Sequence, residues 1–184
     1  WLCALIYPLR NALLYRKALR RSLQDPLTGV GNRLAMEQAI GREVEFAHRY
    51  RLPLALAIID IDHFKRINDR YGHLAGDCVL KHLVERIRTH VRKTDLVFRY
   101  GGEEFAVLLN AEIEDAAKVA ERIRVEVESH PYACGDGAIA VTVSIGIAAL
   151  KAGEAPLALF DRADKALYDA KRSGRNRLTL AASS

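Results

Sequence analysis

The stretch Arg99-Tyr100-Gly101-Gly102-Glu103-Glu104-Phe105 places two glycines and two adjacent carboxylates between two apolar segments, 96–98 and 105–109. Glycine tolerates positive φ at little cost, so the glycine pair predicts a tight hairpin between two β-strands. Such a turn would present Glu103 and Glu104 at a fixed position on a rigid scaffold. Taken alone, the stretch fits a functional carboxylate site and a solvated hairpin tip equally well.

A second group of carboxylates follows the apolar run 54–59, which is typical of a buried strand. The run ends in Asp60-Ile61-Asp62, and alternation along a strand puts Asp60 and Asp62 on one face. Mg²⁺ prefers oxygen ligands, usually one or two carboxylates plus substrate phosphates. Asp60 and Glu103 could supply that pair if their strands are neighbours, whereas an isolated Asp-x-Asp more often caps a helix.

Several further motifs occur in a fixed order around these two clusters. They are Asp60-Ile61-Asp62-His63-Phe64-Lys65, Asn68-Asp69, Tyr71-Gly72-His73, Gly76-Asp77 and the stretch 99–105. This series resembles the GGDEF domain of diguanylate cyclases, a family that accepts either Glu or Asp at the position of Glu103. The segments 25–33 and 166–176 resemble the entry motif and the last helix of the same family, so the match covers about 25 to 180. Several motifs in one order are far more specific than any one of them.

The resemblance implies an α/β fold, an α+β sandwich whose central mixed β-sheet is flanked by helices, similar to nucleotidyl cyclase and polymerase palm folds. Apolar periodicity predicts helices over 33–51, 64–68, 77–91, 113–129 and 156–172, with Asn32 as the first N-cap and Gly174 at the last helix stop. It predicts strands over 54–61 and 177–180, a hairpin over 96–109 and an alternating β segment over 138–148. We expect the domain to span 25–184, after a basic linker helix over 1–24.

The activity implied by the resemblance is the condensation of two GTP molecules into cyclic di-GMP with release of two pyrophosphates. Each 3′-hydroxyl attacks the α-phosphate of the other nucleotide. Phosphoryl transfer depends mostly on positioning and charge stabilisation, so a divalent metal is expected, Mg²⁺ with Mn²⁺ as the alternative. Because each domain holds one GTP, the active species would be a head-to-head homodimer.

The resemblance also assigns roles to individual residues. The metal ligands would be Asp60, the carbonyl of Ile61, and Glu103, which is also the expected proton acceptor. Glu104 would be a helper, since adjacent strand residues point to opposite faces. Backbone amides at Phe64 and Lys65 would hold phosphate oxygens, and the Lys65 ammonium would stabilise the developing negative charge.

The remaining substrate contacts implied by the resemblance are Asn68, His73, Asp77, Lys171 and Arg175. Guanine carries N–H donors on its Watson–Crick edge, so acceptors at Asn68 and Asp77 favour GTP over ATP. Asp77 could instead be the N-cap of the following helix. The sequence 92–95 resembles the inhibitory Arg-x-x-Asp site for product cyclic di-GMP, with Arg92 and Asp95 as ligands and a second arginine that is either Arg122 or Arg124.

A degenerate domain that holds GTP or cyclic di-GMP as a receptor without turnover is the alternative function. Such domains usually lose the signature acids or the upstream aspartate, whereas Asp60, Lys65 and Glu103 are all present here, which favours the enzyme. A phosphodiesterase for the same messenger would need a separate domain, for which the 184 residues leave no room.

Charge is unevenly distributed along the chain. The whole chain has 28 basic and 23 acidic residues, a net charge of +5, and the first 24 residues alone carry that excess. The remainder is formally neutral, so it gives no support for a nucleic-acid surface. We therefore expect no nucleic-acid partner.

The N-terminal segment 1–24 has leucines at alternating steps of three and four, interrupted by Arg16. Either a dimerising stalk or a helix packed on its own domain fits this pattern, and Pro8 disfavours a regular helix over 4–8. Because the chain begins at Trp1, we expect a fragment that lacks an upstream sensor region. The apolar residues 1–9 are too few to span a bilayer but would suit the end of an inner-membrane helix, with the domain in the cytoplasm.

The cysteines and histidines carry little signal in the sequence. Cys3, Cys78 and Cys134 are odd in number and show no Cys-x-x-Cys spacing, and the six histidines show no clustering typical of ligands. These features argue against a disulfide scaffold or a zinc site and suit a reducing cytoplasm.

Overall fold

The computed structural model describes residues 23–135 and 137–182. The predicted linker helix over 1–24 lies almost entirely outside this range, and so do its proposed stalk and juxtamembrane roles. Within the described part of the chain, no helix is both long enough and apolar enough to cross a membrane.

Five helices and seven strands are found in these residues. In chain order they are α1 (Arg33–Tyr50), β1 (Ala55–Ile61), α2 (Phe64–Tyr71), α3 (His73–His90), β2 (Leu96–Arg99), β3 (Glu104–Leu109), α4 (Ile113–Ser129), β4 (Tyr132–Cys134), β5 (Gly137–Ile139), β6 (Val143–Ala149), α5 (Pro156–Arg172) and β7 (Leu178–Leu180).

A five-stranded sheet with the order β2-β3-β1-β6-β7 forms the centre of the domain. Its neighbouring strands are antiparallel except for β6 and β7, which are parallel. The short strands β4 and β5 form a separate antiparallel hairpin. The predicted mixed sheet flanked by helices is therefore confirmed, with β1 at its middle.

The sheet buries a hydrophobic layer on each face. Odd-numbered residues of β1, such as Ile59, pack with α2, α3 and α4, and even-numbered residues, such as Ile58, pack with α1 and α5. Gly146 on β6 permits the close approach of α5, since a Cβ there would collide with the backbone of Leu167. Because the period of a strand is two, this division also fixes which face each acidic residue at the end of β1 and β3 occupies.

Most predicted elements agree with the structure to within a few residues. Asn32 is the N-cap of α1, where its side chain accepts a hydrogen bond of 3.0 Å from the Ala35 amide. The hairpin of β2 and β3 is also found. Its tight-turn explanation was wrong, however, because neither Gly101 nor Gly102 has positive φ.

Two predicted boundaries differ from the structure. Helix α3 begins at His73, four residues before the predicted start, because Gly72 at φ +84° redirects the chain directly after α2. Asp77 therefore lies inside α3 and cannot be its N-cap. The predicted β segment 138–148 is divided between β5 and β6, which belong to different sheets.

Candidate active site

A groove of about 410 Å³ lies between α2, the first turns of α3 and the turn that joins β2 to β3. It brings together most of the predicted substrate residues and one of the signature carboxylates. Its lining residues are Phe64, Lys65, Asn68, Asp69, His73, Asp77, Leu80, Arg99, Gly102 and Glu103. Segments separated by about forty positions in the sequence thus converge on one concave surface.

Hydrogen bonds to Asp62 stabilise the turn that leads into α2. This buried carboxylate accepts hydrogen bonds from the hydroxyls of Thr142 at 2.8 Å and Ser144 at 2.7 Å, and from the Asn176 amide at 3.0 Å. His63 then adopts left-handed backbone geometry at φ +56°, after which α2 begins. Asp62 thus anchors the turn that precedes α2, and its oxygens are already occupied by protein donors.

The α2–α3 wall of the groove depends on close packing between the two helices. Gly76, buried in α3, lies against the side chains of Asn68 and Phe64, and a Cβ at this position would collide with the Asn68 amide oxygen. Asp77 is the next residue along α3. The spacing of the two helices thereby places an amide and a carboxylate side by side on the groove wall.

The two signature carboxylates diverge from each other. Glu103 lines the groove, whereas Glu104 lines a neighbouring cavity of about 490 Å³ together with Tyr100 and Phe160. Glu104 is paired directly opposite Asp60 across β3 and β1, so both side chains lie on the α5 side of the sheet. The Ile61 amide donates a 3.4 Å hydrogen bond to the carbonyl of Glu103, which confirms that the strands are neighbours.

Asp60 is the buried member of this cluster, and Lys171 is its direct partner. The Lys171 ammonium lies 2.8 Å from Asp60 Oδ2. Burial raises the pKa of Asp60 to about 6; the charge and hydrogen bond of Lys171 oppose this, and repulsion from Glu103 and Glu104 adds to it. Lys171 is therefore found on the carboxylate cluster and not on the groove wall.

The donor set of the cluster fits a hard divalent cation. Three carboxylates, those of Asp60, Glu103 and Glu104, interact electrostatically at one end of the sheet, and one ammonium is not enough to neutralise them. Carboxylate and carbonyl oxygens are the ligands that Mg²⁺ and Mn²⁺ prefer. Asp60, Glu103 and the carbonyl of Ile61 could hold such an ion.

Arg99 holds the turn between β2 and β3 in place, a role that the sequence did not indicate. Its guanidinium donates to both carboxylate oxygens of Asp25, at 3.1 and 3.2 Å, and to the carbonyl of Gly102, at 3.0 and 2.6 Å. Burial raises the pKa of Asp25, but hydrogen bonds from Thr28 and Arg99 outweigh this and leave it below its usual value. The entry motif thereby braces the carboxylate turn.

The predicted inhibitory residues precede the first residue of β2, whereas the groove is lined by Arg99 at the end of that strand. Arg92 and Asp95 line a cavity of about 130 Å³ that Arg122 also lines. Asp95 accepts a 2.8 Å hydrogen bond from the Arg92 amide, so it also shapes the turn before β2. Arg124, the other candidate for the second arginine, does not line this cavity.

Arg124 is instead engaged in a local network. Its side chain, 14% exposed, donates to Glu121, Glu128 and the side-chain oxygen of Asn176. This network holds the turn after α5, where Arg175 and Asn176 both have positive φ. Arg175 itself is exposed on that turn and does not line the groove.

The expectation that the cysteines form no disulfide was wrong. Cys78 on α3 and Cys134 on β4 form a disulfide, and the Nδ1 atom of His82 lies 3.4 Å from the Cys78 sulfur. The two cysteines are 56 positions apart, so their spacing carried no signal. The spacing of Cys78 and His82, one helical turn apart, was the available clue.

The model of the family described as "Diguanylate cyclase, GGDEF domain" matches residues 22–177. Among curated proteins, the chain is 47% identical over 163 residues to the diguanylate cyclase DgcP of Pseudomonas aeruginosa. That alignment covers 88% of this chain but only 24% of DgcP. The chain therefore spans about a quarter of this relative's length.

Solved structures give the same result for the fold. The coiled coil and GGDEF domain of DgcB from Caulobacter crescentus, in complex with c-di-GMP, matches with a TM-score of 0.89 and 36% identity over 97% of this chain and 94% of that one. The active GGEEF domain of a diguanylate cyclase from Vibrio cholerae matches with a TM-score of 0.78 and 35% identity, over 83% and 98% of the two chains.

Proposed function

Because this chain belongs to the GGDEF domain family, we propose that it is a diguanylate cyclase that condenses two GTP molecules into cyclic di-GMP and two pyrophosphates. One observation carries the proposal: Glu103 lines the same groove as Lys65, Asn68 and Asp77, so a proton acceptor, a cation and guanine acceptors surround one nucleotide-sized space. The names of DgcP and of the Vibrio cholerae domain, which also has the GGEEF sequence, support it.

Guanine recognition is assigned to the α2–α3 wall of the groove. Asn68 and Asp77 offer an amide oxygen and a carboxylate to the N–H donors on the Watson–Crick edge of guanine, and His73 lies beside them. Adenine would leave these acceptors unpaired, which is the stronger form of discrimination in a polar pocket. The groove should therefore select GTP over ATP.

Phosphate binding is assigned to the start of α2. Its first amides, at Phe64 and Lys65, point out of the helix N-terminus and suit phosphate oxygens, and the exposed Lys65 ammonium can follow the charge that develops during transfer. Arg175 and Lys171 remain candidates for the triphosphate. Lys171 would then exchange its contact with Asp60 for a phosphate oxygen.

Asp60, Glu103 and the Ile61 carbonyl are assigned to Mg²⁺ or Mn²⁺, with Glu104 as a further carboxylate on the other side of β3. A bound divalent ion would neutralise triphosphate charge and lower the pKa of the attacking hydroxyl. Glu103 lines the groove and is the proposed acceptor of the 3′-hydroxyl proton. Glu104 contributes charge to the cluster from the α5 side.

Each groove accommodates one nucleotide, so ring closure requires two chains that face each other. We propose a homodimer whose assembly is favoured by residues 1–24, since a paired stalk would raise the effective concentration of two domains. Removal of these residues should then make the rate per chain depend more steeply on protein concentration. An unchanged dependence would contradict the role of the tail.

Product inhibition is assigned to Arg92 and Asp95, with Arg122 as the second arginine because it lines the same cavity. Guanidinium groups suit both the phosphates and the guanine edges of cyclic di-GMP. This cavity and the groove share no lining residue, so inhibitor and substrate would bind at separate places.

The deciding experiment is incubation of the chain with GTP and Mg²⁺, followed by chromatography of the products. Wild type should form cyclic di-GMP and pyrophosphate, and Glu103→Gln should form neither while still binding GTP. The matched control is Glu85→Gln, an exposed glutamate on α3, which should retain full activity. Tight GTP binding with no product, even at high protein concentration, would overturn the cyclase assignment and favour the receptor.

A further inference from the structure

A cluster of two sulfurs and one imidazole lies where the β4–β5 hairpin packs on α3. The Cys78 sulfur, the Cys134 sulfur and the His82 Nδ1 atom are all within 4.8 Å of one another. Cys78 and His82 are one turn apart on α3, and Cys134 comes from the β4–β5 hairpin that packs on that helix. Three potential ligands from two separate elements thus converge on one point.

The position of the imidazole is the observation that a disulfide alone does not explain. A disulfide needs two sulfurs only, whereas His82 Nδ1 lies 3.4 Å from one sulfur and 3.8 Å from the other. In a tetrahedral zinc site, with Zn–S of about 2.3 Å and Zn–N of about 2.0–2.1 Å, sulfur and nitrogen ligands are about 3.6 Å apart. Both observed distances are close to that separation.

We propose that Cys78, His82 and Cys134, with both cysteines reduced, form a binding site for a thiophilic divalent cation of the zinc class. Two thiolates and one imidazole favour Zn²⁺ over Mg²⁺, so this site and the carboxylate cluster would select different ions. Three protein ligands leave one tetrahedral position to solvent. Cys134 is buried while Cys78 and His82 are half-buried, which gives an ion access from one side.

Reduction is the step that prepares the site. A dithiol reductant transfers two electrons, and with two protons the Cys78–Cys134 bond becomes two thiols while the reductant becomes a disulfide. Zinc binding then releases the thiol protons to solvent. The sulfurs must separate to about 3.8 Å in a tetrahedral site, which rotation about their Cα–Cβ bonds allows with the Cα atoms 5.9 Å apart.

The imidazole is held in orientation by its neighbours. The His82 ring stacks on Tyr132, with centroids 5.5 Å apart and planes inclined by 15°, and Arg86 lies over the Tyr132 ring at 4.4 Å. Nδ1 also lies 3.1 Å from the carbonyl oxygen of Cys78. Because a carbonyl oxygen can only accept a hydrogen bond, Nδ1 carries the proton in this contact. Zinc binding at Nδ1 would replace that hydrogen bond and move the proton to Nε2, with no net proton release from the imidazole. Affinity should rise with pH because the two thiols must lose their protons.

The test is a titration of the full chain with Zn²⁺ alone, after anaerobic reduction and removal of the reductant, in competition with a chromophoric chelator. We expect one zinc per reduced chain, none per oxidised chain, and no displacement by excess Mg²⁺. Co²⁺ should give a thiolate-to-metal charge-transfer band. The oxidised and reduced forms of one protein provide a comparison that needs no variant.

Variants identify the ligands. Cys134→Ser and His82→Ala should each bind zinc more weakly by about tenfold or more, whereas Cys3→Ser, which removes none of the three proposed ligands, should bind as wild type does. Far-ultraviolet circular dichroism verifies that each variant is folded. A reduced wild-type chain that binds no zinc, or equal binding by Cys134→Ser, would overturn the proposal and leave the pair as a disulfide only.

Discussion

The ammonium nitrogen of Lys171, near the end of α5, lies 2.8 Å from carboxylate oxygen Oδ2 of Asp60, at the end of β1. This ion pair places one positive charge among three carboxylates, because Glu103 and Glu104 also interact with Asp60. Lys171 therefore offsets part of the repulsion that would otherwise separate β1 from β3. A cation bound to the same carboxylates would have a similar effect.

Replacement of Lys171 by Met should lower the free energy of unfolding by about 1–3 kcal/mol, less than for a fully buried pair because the Lys171 side chain is 31% exposed. Saturating Mg²⁺ should then raise the stability of Lys171→Met more than that of wild type, since the ion no longer competes with the ammonium. Denaturant unfolding with and without Mg²⁺ measures both effects.

The control for this substitution is Lys165→Met, an exposed lysine on the same helix, which should change stability by about 0.5 kcal/mol or less. Equal responses of Lys171→Met and wild type to Mg²⁺ would show that the ammonium does not share its site with a cation.

Stability should depend on pH through Glu154, whose side chain is 8% exposed and accepts from Arg162 at 2.7 and 2.6 Å. Burial raises the pKa of Glu154, but the hydrogen bonds from Arg162 outweigh this and leave it below 4.5. The stabilisation is therefore present above that value and is lost as pH falls through the folded-state pKa.

Glu154→Gln should accordingly lower the free energy of unfolding by about 2 kcal/mol near neutral pH, and this difference from wild type should shrink in acid. Glu45→Gln, which removes an exposed ion pair with Arg49, should cost about 0.5 kcal/mol or less at either pH. Chemical denaturation across the acid range measures the difference, and a gap that widens in acid would contradict the assignment.

Substitution of Gly76 by Ala should displace Asn68, because the added Cβ would collide with its amide oxygen. We expect GTP binding to weaken by about tenfold, because roughly one hydrogen bond is lost. We also expect the free energy of unfolding to fall by about 1–3 kcal/mol. Equilibrium dialysis with GTP gives the first number. Gly41→Ala, in α1 with no atom near the new methyl group, should instead stabilise by about 1 kcal/mol.

Arg122→Ala and Arg124→Ala should have opposite phenotypes. Loss of Arg122 should raise the concentration of cyclic di-GMP needed for half-inhibition by about tenfold while stability is unchanged, because it faces the cavity of Arg92 and Asp95. Loss of Arg124 should cost about 2 kcal/mol of stability and leave inhibition intact, since its partners are Glu121, Glu128 and Asn176. Inhibition titrations and thermal unfolding measure the two effects. Weaker inhibition in Arg124→Ala than in Arg122→Ala would contradict the assignment of Arg122.

Asp25→Asn should loosen the turn between β2 and β3, because it removes the negative charge of Asp25 that orients the Arg99 guanidinium. We expect amide exchange over 100–103 to accelerate by about 5- to 30-fold, equivalent to 1–2 kcal/mol of local stability. Glu37→Gln, which breaks an exposed pair with Arg33, should leave exchange in the turn unchanged. Unaltered exchange in Asp25→Asn would show that Gly102 is held without this brace.

Local signals in the sequence were sufficient for most of the fold. Asn32 and the amphipathic pattern behind it predicted the start of α1, and the continuous apolar run before Asp60 predicted the central strand. The start of α3 was missed because the positive φ of Gly72 lets a second helix begin at once. Such a backbone angle depends on how α2 and α3 pack, which the pattern of side chains does not encode.

The site was predictable where a residue's role follows from its own chemistry and was not where the role depends on distant partners. Glu103 and Asp77 were placed in one groove as their motifs suggested. Strand alternation puts Asp62 on the same face as Asp60, but donors from Thr142 and Asn176 occupy its carboxylate. Only the folded chain brings those donors to it.

The guanidinium of Arg99 joins the first residue of the entry motif, Asp25, to the carbonyl of Gly102 beside the signature carboxylates. Gln24 and Gly31 pair with each other, and Gly31 pairs in turn with Phe98 on β2. A displacement of the chain at residue 24 would therefore be expected to reach Gly102 through the side chain of Arg99. The direction from which the polypeptide enters this domain should then influence the shape of its carboxylate turn.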